Sequence, residues 1–488
     1  MKKSIVIMLL ATLLGVACTP TTLSSPDGRI GLSFNLSDKG EASYSVSYDG
    51  STIIDKSLLG IVTTTEDFSS GLRVIKVRHD QEDDTWQPVW GERETIRNHN
   101  KSLSVLLENR SGARFEVIFK LFDDGLGLRY VLHGEGRADI VSEATEFKMC
   151  DNHLTHWVAG NYDDNELEYM HTPLLGITPE NMHKSAPSAK HMVECGVNLP
   201  VTMESADNHF IAIHEAALWH YPAMSLEFDA ESLTFRSSLA KSGDIAAHVD
   251  LPFSTPWRTI ILGDRAGDLV ESTLILNLNE PCRIEDTSWI KPMKYVGVWW
   301  EMHLKESIWD MDGKFPHSAT TENVKRYIDF AAENGFGGVL VEGWNIGWGW
   351  GERFDYTEPY PDFDIEELVS YARERGVVLI GHHETYANVE NYIGQMDEAY
   401  AYYHNLGIPS VKTGYVGNIH NHLHYDQWMV DHYNLTVTKG AENNLMIDIH
   451  EPVHPTGICR TYPNLMSAEG MRGQEWQAWH SGNSLDHN

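Results

Sequence analysis

Apolar positions follow two different periods along this chain. From about residue 24 to residue 283 they recur every second position. Ile30, Leu32, Phe34 and Leu36 alternate with polar or small residues, as a half-buried strand requires. Tyr44, Val46 and Tyr48 alternate again and run into Asp49-Gly50, a strong hairpin-turn signal. Similar short runs recur at 103–107, 115–119, 128–132 and 210–213, and long helical patterns are scarce. This region predicts a large antiparallel β-sandwich.

After about residue 284 the period changes. The apolar run 295–300 predicts a strand. Val324, Tyr327, Ile328 and Ala331 then share one face of a helix over 321–334, which Gly335 stops. A buried-type strand over 338–341 ends in Glu342, and Asp364 with Glu367 forms a capping box for the next helix. The strand 377–380 leads into His382, His383 and Glu384. Val389, Tyr392, Ile393, Met396 and Tyr400 make a third helical stripe. Strands over 408–412 and 445–449 flank a helix around 427–437, and a sixth strand is expected near 462–468. Strands alternating with helices imply right-handed βαβ units and a parallel sheet, the pattern of a β/α barrel.

This reading gives the polar residues a common address. Glu342, Glu384, Lys412 and Glu451 each fall at or just past the C-terminal end of a predicted strand. In a β/α barrel that rim is where active sites are built. The stretch 445–475 adds to it: an apolar run ends in His450 and Glu451, and Glu469 and Glu475 follow. Pro452, Pro455, Gly457, Pro463, Gly470 and Gly473 shape the intervening loop. Several carboxylates on one rim suit cation binding or cleavage of a polar bond.

Length and charge narrow the possibilities. A chain of 488 residues predicts two or three domains. The formal charge of -33 excludes nucleic acid and anionic lipid as natural partners, and leaves neutral substrates and cations. Lys2 and Lys3, an apolar run over 5–14 and then small residues before Cys18 predict an export signal over 1–18. Leu14-Gly15-Val16-Ala17-Cys18 resembles a bacterial lipoprotein box, with Cys18 as the lipid-bearing residue; plain signal cleavage nearby is the alternative. Either places the protein outside the cytoplasm, in the periplasm or on the outer membrane of a Gram-negative bacterium. Cys150, Cys195, Cys282 and Cys459 match no zinc spacing and are too few for a disulfide framework.

Several motifs together resemble glycoside hydrolase family 97, especially its calcium-dependent inverting α-glucosidases. They are TWQPVWGERETIRNH (85–99), LFDDGLGLRY (121–130), NLNEPC (277–282), KYVGVWWEM (294–302), NVKRYIDFAAENGF (323–336), VLVEGWN (339–345), HHET (382–385), VKTGYVG (411–417) and HEPVHPTGICRTYPNLMSAEGMRGQE (450–475). The resemblance implies a β-sandwich over 19–283 and a (β/α)8-type barrel over 284–488, incomplete at its C-terminal end. It places the general acid at Glu475, and the carboxylates that position and deprotonate water at Glu384 and Glu451. It implies calcium ligands at Glu166, Glu451, Glu469 and Glu475, and sugar contacts at Trp299, Glu342, His382, Lys412 and His450. Trp299 suits either a sugar-facing ring or barrel core. The implied partner is an α-linked, starch-derived oligosaccharide, cut from its end by a monomer.

The same family contains retaining α-galactosidases, whose nucleophile is an Asp at the end of the strand corresponding to 408–412. Here the chain reads VKTGYVG, with no acid from Val411 to Gly417, which favours the inverting branch. An incomplete barrel also admits a surface lipoprotein that binds oligosaccharide without cutting it.

Overall fold

The structure, a computed structural model, describes residues 21–187, 189–307, 317–348 and 353–478. The expected export segment with Cys18 and the terminal stretch 479–488 lie outside the described residues.

The N-terminal region folds as two antiparallel sheets, of nine and eleven strands. The alternation puts Ile30, Leu32 and Phe34 of strand Ile30–Leu36 inward. The Asp49-Gly50 turn joins strands Ala42–Tyr48 and Ser51–Leu59, with φ of 50° and 85°. Two left-handed residues give the turn a twist that matches the strands on either side. The sheets meet through aromatic rings: Phe34 and Tyr44 of one lie 6.3 and 6.0 Å from Phe119 of the other. The fourteen-residue strand Arg73–Trp86 carries no alternation and was not legible as a strand. It is exposed along nearly its whole length, so no buried face patterned it.

The second region is a six-stranded parallel sheet whose strands follow chain order. They are β1 (Tyr295–Gly297), β2 (Gly338–Leu340), β3 (Val378–Glu384), β4 (Ser410–Gly414), β5 (Met446–His450) and β6 (Leu465–Glu469). The longer helices between them are α1 (Thr321–Asn334), α2 (Ile365–Glu374), α3 (Val389–Leu406) and α4 (Gln427–Glu442). Helix α1 ends at Gly335, which is left-handed at φ 74° and donates its N–H to the Ala331 carbonyl. Asp364 caps α2 by accepting from the Glu367 N–H at 2.9 Å.

Several expectations need correction. The apolar run 295–300 is a strand only to Gly297; at Val298 the backbone turns helical, so Trp299 opens the short helix Trp299–His303. Strand β4 continues past Lys412 to Gly414, so Lys412 points from within the strand. Ile393, placed on the buried stripe of α3, is 38% exposed. No α-helix joins β5 to β6. Pro452, Pro455 and Pro463 disfavour one there, and the connection runs against the sandwich. Ala217 donates its N–H to the Thr456 carbonyl at 2.9 Å, and Trp90 Nε1 donates to the Pro463 carbonyl at 2.6 Å. This clamp holds the segment that follows Glu451.

Candidate functional site at the barrel rim

Four expected residues meet around β5 and β6. A carboxylate oxygen each of Glu166, Glu469 and Glu475 and a ring nitrogen of His450 all lie within 4.8 Å of one another. Glu166 arrives from the sandwich, on the loop after strand Ala159–Asn161. That loop is tied down at several points. Asn161 Oδ1 accepts from the Asp163 and Asp164 amides, and Asn165 Oδ1 accepts from Tyr425 Oη at 2.6 Å. Glu166 Oε1 then lies 3.1 Å from His450 Nε2, and Oε2 accepts from Trp476 Nε1 at 2.7 Å.

Lys412 links this group to the barrel interior. Its Nζ lies 2.8 Å from Glu469 Oε2 and 3.6 Å from Glu342 Oε1. Burial opposes the ammonium charge, but Glu342 and Glu469 outweigh it and hold the pKa well above the usual range. Burial likewise opposes a charge on His450. The Glu166 hydrogen bond and the negative Glu451 and Glu469 still raise its imidazolium to about 10. Burial pushes the Glu342 carboxyl up, against the pull of Lys412. His382 stands 4.0 Å from Glu342 Oε1; burial and the nearby Lys412 keep its ring neutral. Its Nδ1 is buried with no hydrogen-bond partner among the described residues.

Glu384 and Glu451 belong to the same field. Burial raises both carboxyls, and like charge adds to it, from Glu342 at Glu384 and from Glu384 at Glu451. Glu384 Oε1 accepts from the Thr385 and Tyr386 amides at 2.9 and 2.7 Å. Gly414 makes room for it: a Cβ at that position would collide with Glu384 Oε2. Glu451 has a left-handed backbone, φ 58°, and its Oε2 accepts from the Tyr415 amide at 2.8 Å. Non-glycine residues held in this conformation concentrate at functional sites.

Glu475 sits in the 3-10 turn Gln474–Ala478 and accepts from Trp299 Nε1 at 3.0 Å. Burial raises its carboxyl, opposed by that hydrogen bond and reinforced by Glu166 and Glu469. Trp299 is half-buried, so it is rim rather than core, and its indole N–H orients an acid. Burial works against charge on Glu469 too, but His450 and Lys412 prevail and hold it below the usual range.

Two points depart from the sequence reading. Glu451 stands outside the four-residue cluster, with His450 in the position expected for it. Asp448 was missed. It is buried on β5 and accepts from Tyr295 Oη at 3.0 Å. Its spacing of two from His450 on one strand puts both on the same face, and that was the available signal. The amides of Thr385, Tyr386 and Tyr415 had no signal in residue type.

The cluster has the chemistry of a hard-cation site. Three carboxylates from two regions of the chain converge, and oxygen donors in flexible geometry suit calcium. Zinc prefers nitrogen and sulfur, and no cysteine belongs to the group.

Known proteins share this architecture. Residues 23–281 match the description Glycosyl-hydrolase 97 N-terminal, and residues 299–471 match Glycoside hydrolase 97. A family 97 enzyme from Pseudoalteromonas sp. strain K8, solved in complex with acarbose, is 39% identical, with a TM-score of 0.86 over 94% of this chain and 70% of that one. A variant of a family 97 enzyme from the same strain, solved in complex with panose, is 39% identical with a TM-score of 0.85, over the same shares. A probable retaining alpha-galactosidase of Streptomyces bingchenggensis is 27% identical over 464 residues; the match spans 93% of this chain but 65% of that protein. On the strength of both matched regions and of this structural likeness, the chain belongs to glycoside hydrolase family 97.

Proposed function

We propose that this protein is an exo-acting α-glucoside hydrolase that releases glucose from starch-derived oligosaccharides with inversion of configuration. The observation that carries the reading is Glu475: a carboxyl raised by burial, oriented by Trp299, on the same rim as Glu384 and Glu451. A raised carboxyl keeps the proton it must donate to the leaving oxygen. Glu384 and Glu451 orient and deprotonate water. Repulsion from the ionised Glu384 makes the Glu451 carboxylate a stronger base, and the main-chain amides fix both in place. Lys412, Glu342, His382 and His450 bind sugar hydroxyls. Acarbose and panose in the Pseudoalteromonas complexes favour an α-linked glucoside as substrate.

In this reading Glu166 and Glu469 hold a calcium ion. Glu475 is within reach of it, but a directly bound cation would lower the pKa that an acid needs. When bound, the ion supplies positive charge among the carboxylates. Six parallel strands fit a (β/α)8 barrel, and the protein is exported as a lipoprotein through Cys18.

Inversion is supported by β4, whose end carries no carboxylate from Val411 to Gly417 to serve as nucleophile. The likeness to a retaining alpha-galactosidase favours a second reading, retention on α-galactosides. Proton NMR of the first products separates them. β-Glucose released first from maltose is expected; α-glucose first, or cleavage of α-galactosides alone, overturns the proposal. Oligosaccharide binding by a folded sample without sugar release would leave only a binding role.

A further inference from the structure

Two histidines stand face to face on the outer surface of the sandwich. In the antiparallel strands Leu154–Trp157 and Met170–Pro173, His156 pairs directly with His171. Alternation turns Thr155 and Trp157 inward and leaves both imidazoles exposed on the opposite face. Their rings stack, with centroids 4.0 Å apart and planes 16° from parallel. Strand Val201–Glu204 lies on the other side of Leu154–Trp157, with Thr202 opposite His156 and Glu204 opposite Leu154. Glu204 is therefore a diagonal neighbour of His156 on the same outer face, within reach of a long side chain.

Several other exposed imidazoles face a carboxylate: His191 pairs with Asp163, His220 with Asp431 and His248 with Asp139. Among the described residues, no hydrogen bond occupies a ring nitrogen of His156 or His171. Burial and the adjacent His171 hold the His156 imidazole below its ordinary range, against the pull of Glu204. Its lone pair therefore stays free at neutral pH, as a metal ligand requires. Parallel rings at this spacing need only small side-chain rotations to converge on one ion, and Glu204 can bring a carboxylate oxygen beside them. Two imidazole nitrogens and one oxygen suit nickel, copper or zinc, whereas calcium takes oxygen donors.

The position gives such an ion a structural consequence. Strand Met170–Pro173 ends the eleven-stranded sheet and pairs only with Leu154–Trp157. These two strands bracket the segment that carries Glu166 to the barrel rim.

We propose that His156 and His171, with Glu204 as a third ligand, bind a late first-row divalent transition metal that clamps this edge strand to the sheet. The site is separate from the rim carboxylates, and its test needs no catalytic activity.

Nickel is the probe. It is titrated calorimetrically into the full, untagged chain with calcium in excess, which competes for the rim carboxylates. His156→Gln and His171→Gln should each weaken nickel binding about tenfold, and Glu204→Gln about threefold. All three substitutions are on the sheet surface, so the variants should fold as the parent does. Nickel should also raise the melting temperature of the parent but not that of His171→Gln. A nickel affinity within about twofold of the parent in both histidine variants overturns the site, as does a parent that binds no nickel. Binding through both histidines with no rise in melting temperature overturns the clamp.

Discussion

Two groups of buried carboxylates in this molecule are built in opposite ways. In the sandwich, Glu143 and Glu215 flank Arg258, and all three side chains are fully buried. Arg258 Nε and Nη2 donate to Glu143 at 2.8 and 2.7 Å, and Nη1 donates to Glu215. His454, from the loop after Glu451, completes the group at 2.6 Å from Glu215. Tyr221, Thr145 and the Met224 amide occupy further lone pairs. Burial acts to raise the Glu215 carboxyl, yet Arg258 and His454 pull it below the usual range. At the barrel rim, Lys412 pairs with Glu342 and Glu469 and His450 with Glu166 and Glu469, while His382 and His303, whose charge burial opposes, stand 4.0 and 3.7 Å from Glu342 and Glu475. Burial there raises Glu342, Glu384, Glu451 and Glu475. The satisfied group joins sandwich to barrel. The under-compensated group keeps protons and negative charge available for chemistry, which is where functional sites are usually found.

The comparison can be broken at its acidic end first. Glu475→Gln should reduce hydrolysis of maltose by about 10²–10⁴-fold while largely sparing substrates with very good leaving groups. Steady-state rates on maltose and on an activated glucosyl donor check this. An equal loss on both would remove Glu475 from the role of acid.

The sandwich group should respond through stability instead. Arg258→Met leaves two buried carboxylates without their cation and should cost about 3–5 kcal/mol. Adding Glu143→Gln and Glu215→Gln to it should restore much of the loss. Urea unfolding of the single and triple variants measures both, and a single variant as stable as the parent would contradict the analysis.

Metal should discriminate between the groups. Calcium bound only by the folded state adds about 2.7 kcal/mol at a hundredfold excess over its dissociation constant. Chelation should therefore lower the melting temperature of the parent and lower activity. Glu166→Ala should lose that sensitivity, whereas Glu215→Gln should keep it. A thermal-melt series with and without chelator tests the assignment.

Acid sensitivity at the joint is confined to low pH and is absent near neutrality. Burial, with the nearby His454, lowers the His214 imidazole to about 4, and its Nε2 lies 2.8 Å from the Pro455 carbonyl. The folded state holds this ring neutral where the unfolded chain would protonate it. The stability so contributed is present above about pH 6.5 and is lost as pH falls toward 4, at up to about 1.4 kcal/mol per pH unit. Denaturation curves between pH 4 and 7 should show a shallower slope in His214→Phe; an unchanged slope would place the acid sensitivity elsewhere.

Much of this was written in the chain. Period-two alternation specifies a sheet with one buried face, so strand Ile30–Leu36 and the Asp49-Gly50 turn were legible. Local caps and stops delimit helices, so Asp364 and Gly335 marked boundaries. The alternation of strand and helix also placed Glu342, Glu384 and Glu451 on one rim before any contact was known. Tertiary structure alone decided the rest. That Glu166 reaches His450 across 284 residues follows from how the sandwich docks on the barrel. Glu451 stands apart from the four-residue cluster, its Oε2 turned to the Tyr415 amide on a left-handed backbone. Secondary structure is set by interactions a few residues apart, and these repeat along the chain. A site is set by distances of a few ångströms between distant residues, and those exist only once the two regions pack together.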